Sequence, residues 1–345
     1  MQRFLYSLLL ILSGSTLGFS QSESGTTYAF VNLPYSARSI AMGGNFLSIY
    51  DHDISLALAN PSLISPEMNN DFELSFIDYF SDINYGSVSY ARNLEKLGTF
   101  VASMQFIDYG EFDYATETGQ RLGKFTASDY ALNIGWGRSL SDFFHVGANI
   151  KGLYSKYESY NSFGLAVDVA GTYLLPEKKI SASLIFRNIG SQIKPYTQNT
   201  IEPLPFEIQL GISKELAHLP LRFSLLLTNL QRWDLYFQTN FTHQSNLLSV
   251  DEKKRGSINT FSDELMRHLI FGLELQPIKA LSLRLGYNYL KRKEMTIHTR
   301  LSTVGFSWGF GLNIYRFQIN YARNAQHLAS SPNYLSIATN LSEFF

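Results

Sequence analysis

Cysteine is absent from the 345 residues. That excludes disulfides, thiolate metal centres, a cysteine nucleophile and a lipid-modified N-terminal cysteine. Charge is scarce as well: Asp, Glu, Lys and Arg make up 17% of the chain, against about 25% in an ordinary soluble domain. The 28 basic and 29 acidic residues nearly cancel, and without a basic run the chain is not an electrostatic nucleic-acid binder. No stretch beyond the N-terminus supplies 18 consecutive apolar residues, so no helical membrane span is expected. What the chain has in excess is aromatic side chains, 14% of the total, chiefly 26 Phe and 21 Tyr. Its length would suit two average domains, but all-β barrels of this size form one.

The first residues, MQRFLYSLLLILSGSTLGFSQS, combine Arg3, a short apolar run from Phe4 to Leu12 and small residues at Gly18 and Ser20. This is the pattern of a Sec-type signal peptide over 1–20, cleaved before Gln21, and it is too short to span a membrane.

The rest of the chain alternates with period two. In LSLRLGYNYL (281–290), Leu281, Leu283, Leu285, Tyr287 and Tyr289 share one face, and Ser282, Arg284, Gly286 and Asn288 share the other. Successive strand side chains point to opposite faces, so each such segment has an apolar and a polar side. Residues 206–213 and 315–322 behave alike, as do 143–154 and 163–173 with Lys151 and Asp168 on their polar sides. The pattern predicts about 14 antiparallel strands, most with the roughly 9–11 residues that a tilted strand needs to cross a bilayer. They fall at 72–79, 84–92, 98–108, 125–137, 143–155, 163–174, 180–188, 205–213, 221–229, 267–276, 281–290, 303–312, 315–323 and 334–345.

Between them, short connections (93–97, 138–142, 175–179, 214–220, 277–280, 313–314) alternate with mostly longer ones (109–124, 156–162, 189–204, 230–266, 291–302, 324–333), and only 80–83 departs. That alternation is the signature of a transmembrane barrel with short periplasmic turns and long outer loops. A soluble barrel alternates too, so alternation alone does not say which face meets the core. The signal pattern, the aromatic excess, the loop asymmetry and the chain end point to an integral protein of the bacterial outer membrane, in contact with its lipids. Glu343 lands on the apolar face, but at a strand end, where a charge costs little.

Residues 21–71 alternate poorly and precede the first strand. They are expected to form a plug, or hatch, inside the barrel comprising 72–345, since wide barrels are often plugged. Gly43 and Gly44 permit tight turns there, and Asn60-Pro61 forces one. A free periplasmic tail is disfavoured by the apolar content.

ALANPSL (57–63) resembles the Asn-Pro-Ala hatch motif of the long-chain fatty-acid transporter (FadL-like) barrels, with Ser62 in place of Ala beside Asn60 and Pro61. The longer run NLPYSARSIAMGGNF … LALANPSLISPEMNNDFELSFIDYF … INYGSVSYAR resembles the PorV/PorQ branch of that superfamily, and NLQRWD (229–234), LRLGYNYLKRKE (283–294) and TNLSEFF (339–345) are similar to its PorQ-like members. The resemblance spans the mature chain. It implies a non-enzymatic outer-membrane barrel of the type IX secretion system that holds a PorZ-like surface component of the attachment complex, alongside PorU and PorV, where cargo is joined to lipopolysaccharide. The terminal aromatic, Phe345, resembles the assembly signal of bacterial outer-membrane proteins.

Catalytic and cofactor motifs do not survive scrutiny. Gly-Phe-Ser-Trp-Gly (305–309) matches Gly-x-Ser-x-Gly, but a nucleophile elbow needs a strand, a sharp turn and a helix, and Ser307 lies inside an alternating strand. The seven histidines form no metal-ligand pair at useful spacing, and Asp51-His52-Asp53 reads as a solvated turn. Segment 230–266 is longer than ordinary loops, which are seldom so long without a function. Its Trp233, Tyr236, Phe237 and Phe241, beside the charges of 251–255, either form a partner-docking surface or extend strand nine above the membrane. Two functions remain: an anchor for a surface protein, and a channel for long-chain fatty acids or other hydrophobic compounds. A channel should show an apolar pocket beneath the outer loops and an opening in the wall.

Overall fold

The computed structural model describes residues 26–116, 118–198, 200–235, 257–295, 303–325 and 331–344. Fourteen antiparallel strands close into a barrel in sequence order, β1 pairing with both β2 and β14. They are β1 Asp71–Asp78, β2 Asn84–Leu94, β3 Gly98–Ala115, β4 Arg121–Ser141, β5 Phe144–Tyr157, β6 Tyr160–Leu175, β7 Ile180–Lys194, β8 Glu207–Glu215, β9 Leu221–Leu227, β10 Leu269–Ile278, β11 Leu281–Asn288, β12 Phe306–Ile314, β13 Phe317–Asn324 and β14 Asn333–Asn340. Closure runs from Asp71↔Asn340 to Asp78↔Asn333, so no strand edge is left open to aggregate.

The two faces are sorted in the sense opposite to a soluble barrel. In β11 the apolar face points outward, with Leu285 57% exposed, while Arg284 on the polar face is 3% exposed. The same holds in β8, where Ile212 faces out and Glu207, Gln209 and Ser213 are buried. Exposed aromatics bracket exposed aliphatics along a strand: Phe163 and Tyr173 flank Leu165 and Val169 in β6, and in β4 exposed Tyr130 and half-buried Trp136 flank Leu132 and Ile134. An apolar band between aromatic girdles, roughly 25 Å tall, is the exterior of a transmembrane barrel. In water this surface would cost about 25 cal/mol per Å², and lipid removes that cost.

All fourteen expected strands are present, and several of their ends differ from expectation. β3 and β4 pair up to Ala115↔Arg121 across a bulge between Asp108 and Glu111, so most of the expected loop 109–124 is a tall hairpin. Gly110, at φ +79°, accommodates the bulge. β5 and β6 likewise pair up to Tyr157↔Tyr160, leaving a tight turn in place of the loop 156–162. Charged and polar residues on strands standing clear of the bilayer read as loop by composition. β9 stops at Leu227 and β14 at Asn340, short of their expected ends, and a helix, α3 (Tyr289–Met295), follows β11 directly. Another helix, Ser257–Arg267, precedes β10; the short helix Ala37–Ala41 is α1, which makes this one α2.

Residues 26–70 lie against the inward faces of strands on opposite sides of the barrel. Short polar caps fold the segment: Ser36 accepts from Arg38 N to start α1, Asp53 accepts from Ser55 N to start the 3-10 turn Ile54–Leu56, and Asn60 accepts from Ser62 N to start Pro61–Leu63 with proline at its first position. The segment supplies most of the large buried apolar side chains, among them Ile40, Met42, Phe46, Leu47, Leu63 and Ile64. The wall meets them with small residues. A Cβ on Gly286 would lie 2.1 Å from the Met42 carbonyl carbon, and one on Gly147 would lie 2.3 Å from Pro61.

Candidate functional site

Three side chains of the N-terminal segment and three of the wall form one ionic network at the short-turn end. Arg38, in α1, grips Asp51 through both terminal nitrogens, at 2.5 Å and 3.1 Å. It also binds Asp53 at 2.6 Å and Glu274 of β10 at 3.0 Å. Arg222 of β9 binds Asp51 at 2.8 Å and Glu274 at 2.6 Å. Arg284 of β11 binds the other Glu274 oxygen at 2.7 Å and donates to Asn320. Gln318 of β13 donates to Asp53.

Bidentate, charge-assisted geometry of this kind is the strong form of an ion pair, and in a buried setting it is required, because a charge left alone there is heavily penalised. Burial acts to raise the Asp51 pKa, but the guanidiniums of Arg38 and Arg222 outweigh it and hold the carboxyl well below the usual carboxylate range. Burial likewise acts against the Arg38 charge, and Asp51, Glu274 and Asp53 outweigh it, so Arg38 stays protonated at every accessible pH. Beside the network lies a cavity of about 400 Å³ lined by charged and polar groups, including Asp51, Glu215, Arg222, Gln276, Ser282 and Asn313. Its lining suits water and ions rather than an apolar compound.

The expected solvated turn at Asp51-His52-Asp53 is therefore corrected. Only His52 is exposed; both aspartates turn inward because Arg38, thirteen positions upstream, needs them. The spacing carried no motif that could have signalled this. Arg284 was visible as the one charge in the polar face of its strand, but its partner Glu274 was not.

The opposite wall holds the Asn-Pro turn. Asn60 is fully buried and donates to Leu47 O at 2.6 Å and to Thr172 of β6 at 3.3 Å. Ser62 donates to Asn60 Oδ1 at 2.7 Å and shares a 2.7 Å bond with Thr172, which bonds in turn to Ser183 of β7. Pro61 packs against the bare backbone of Gly147 in β5. All of these groups are neutral.

Trp233 lies beyond the end of β9 on the long-loop side. It is 48% exposed and stacks on Phe261 at 5.3 Å and on His268 at 5.1 Å. His268 is fixed by Thr228 O at 2.7 Å and Trp233 O at 3.1 Å. Trp233 thus does not continue the strand. Tyr236, Phe237, Phe241 and Phe345 lie outside the described residues, as does the signal segment 1–20. Phe344, beside the chain end, packs on Phe317 and under the Arg316 guanidinium.

Ser307 is the second residue of β12, with no helix following, and donates to Ala41 O at 3.2 Å, so it serves as a tether rather than a nucleophile. Ser65, His52 and Glu67 also approach one another, at 2.8 Å and 3.4 Å, but both contacts use His52 Nδ1. A relay needs one ring nitrogen for the nucleophile and the other for the carboxylate, so this cluster cannot pass a proton along.

No family model matches the chain, and no curated protein matches it. Solved structures do. A deltaS2S3 mutant of the TodX monoaromatic hydrocarbon channel is 13% identical, with a TM-score of 0.55 over 89% of this chain and 99% of that one. A deltaS2 mutant of the same channel is 13% identical, with a TM-score of 0.53 over 88% and 97%. A Pseudomonas aeruginosa FadL homologue is 9% identical, with a TM-score of 0.49 over 89% and 98%. This chain shares the outer-membrane β-barrel fold of the TodX structures; at these identities the likeness extends to fold alone.

Proposed function

We propose that this chain is a non-enzymatic integral protein of the bacterial outer membrane, exported by a Sec-type signal. Its N-terminal segment plugs the barrel, and its outer face anchors a surface protein. The chemistry of the resemblance in its sequence makes that partner a PorZ-like component of the type IX attachment complex. The observation that carries the reading is the filling of the lumen. Residues 26–70 cross it and are clamped to both walls, by the Arg38 network on one side and by Asn60, Ser62 and Thr172 on the other. The larger cavity beside them is charged and opens at the short-turn end. A rigid, filled barrel suits a membrane anchor.

The second reading is a channel for hydrophobic compounds. It is favoured by the shared fold with the TodX structures, which are described as a monoaromatic hydrocarbon channel. Affinity purification of the tagged chain from native outer membranes, with mass spectrometry of proteins and lipids, separates the two. Anchoring predicts a stoichiometric large surface protein and no enriched hydrophobic molecule. A barrel isolated alone with a specific bound hydrophobic compound would overturn it in favour of transport.

A further inference from the structure

Where β3 and β4 rise above the rest of the barrel they lose their neighbours. β2 pairs with β3 no further out than Asn84↔Asp108, and β5 pairs with β4 no further out than Ala127↔Tyr157. Beyond those rungs β3 and β4 pair only with each other, from Glu111↔Thr126 to Ala115↔Arg121. Thr126 O accepts from Glu158 N, so the backbone groups of Thr126 point towards β5. In an antiparallel ladder its partner Glu111 then directs its own N–H and C=O the opposite way, and Asp113, two positions on, does the same. The outer edge of β3 is an open row of donors and acceptors, the arrangement to which an added strand pairs.

The two faces of this ribbon differ as well. β4 alternates regularly from the buried, lumen-side Asp129 and Ala127 to Phe125, so Phe125 and its partner Phe112 turn over the mouth of the barrel. Phe112 stacks on Phe125 at 5.2 Å, and Tyr114 meets the same ring edge-on at 5.6 Å. Phe112 and Tyr114 are nevertheless exposed. The opposite face is charged and already matched, Glu111 with Lys124 at 2.6 Å and Asp113 with Arg121 at 3.4 Å. Aromatics turned away from the bilayer side are not a membrane girdle. At the foot of the same edge stand three exposed carboxylates. Asp78 and Asp108 flank Asn84 in one row across β1, β2 and β3, and Asp82 lies against Gly110. No ion pair neutralises them among the described residues, so the edge is bordered by net negative charge. A complementary occupant is basic. Anionic lipid headgroups are repelled there, and a second copy of this chain would bring the same carboxylates against themselves. We propose, resting on the anchor reading above, that the surface partner docks by adding an extended, basic strand to the β3 edge at 111–115, its apolar side chains covering Phe112 and Tyr114.

The test uses the full-length tagged chain in intact cells. A photo-reactive residue in place of Phe112 should crosslink to one surface protein, within an extended segment carrying Lys or Arg; the same residue in place of Trp233 should not. Asp113→Pro removes the edge N–H without removing a bond to β4. It should lower co-purification of that protein about tenfold, with the barrel still shifting on heating in gel electrophoresis, whereas Asp113→Ala should retain it. Should the proline variant fail to assemble, Asp78→Asn/Asp82→Asn should weaken retention and flatten its dependence on salt. Equal retention by the proline and alanine variants, with the crosslink at Trp233 instead, overturns the edge site and leaves anchoring standing. A crosslink from Phe112 to lipid or to a second copy also overturns the site. A wild-type barrel that retains no surface protein overturns both readings.

Discussion

The two walls that hold the N-terminal segment do so by different physics. On the β9–β14 side, α1 is fixed by charge: Arg38 bridges its own segment to Glu274, with Arg222 and Arg284 completing the network. On the β4–β6 side, the Asn-Pro turn is fixed by shape: Gly137 and Gly147 clear space for Ile64 and Pro61, and neutral hydrogen bonds to Thr172 set the register. Charge tolerates small displacements but needs every partner present. Shape has no tolerance for added volume but is indifferent to pH. A segment held both ways has two independent failure modes, and each can be provoked separately.

The steric side should break hardest. Gly147→Val puts a Cβ within 2.3 Å of the Pro61 carbonyl. Backbone does not yield to such overlap, so the turn should be expelled at a cost of more than about 3 kcal/mol. Limited proteolysis should then cut within 54–70 while the barrel still shifts on heating in gel electrophoresis. Gly152→Val, in the same strand with nothing within 4 Å, is the control and should remain resistant; equal cleavage of both would sink the steric account.

On the charged side, Arg38→Met leaves Asp51, Asp53 and Glu274 facing one another, a loss of about 3–5 kcal/mol in docking. The wild type should show the same weakness in acid. Because the Asp51 pKa is depressed in the folded chain, its stabilisation is complete above its unfolded value, near pH 4. It is lost as the pH falls below that point through the folded value. The hydrogen-exchange protection factors of 37–53, each taken against the intrinsic rate at its own pH, should thus fall between pH 7 and pH 3 while those of 60–64 hold. Uniform loss of protection across both stretches would remove the distinction between the walls.

Asn60→Ala should have the smallest effect. It removes an N-cap worth about 1 kcal/mol and strands buried partners at Leu47 O and Ser62, for a total of about 2–3 kcal/mol. Exchange at 60–64 should rise at neutral pH with no change in 37–53, the mirror image of the acid experiment.

How far these features could be read in advance follows from the range of the forces involved. Alternation such as Leu281, Leu283 and Leu285 against Ser282 and Arg284 is local, so the strands and their number were legible from the residues alone. The tall β3–β4 hairpin was not, because Glu111, Asp113 and Lys124 look like loop residues until Lys124 is seen paired to Glu111 across the strands. Asn60-Pro61 announced a turn by its own backbone chemistry. That its side chains would meet Thr172, 112 positions away, depended on how the chain crosses the lumen. The Asp51 and Asp53 reading failed for the same reason, since a short acidic turn looks solvated wherever its buried arginine is out of view.

The residues by themselves thus determined the two-faced strands, their membrane-crossing length and the breaks between them, because strand periodicity and turn chemistry act within a few positions. Only the tertiary structure decided which face turned to lipid and which glycines had to stay bare. It alone decided which charges would neutralise Arg38. Those outcomes depend on barrel closure, which brings β1 against β14 and sets residues hundreds of positions apart within hydrogen-bonding distance.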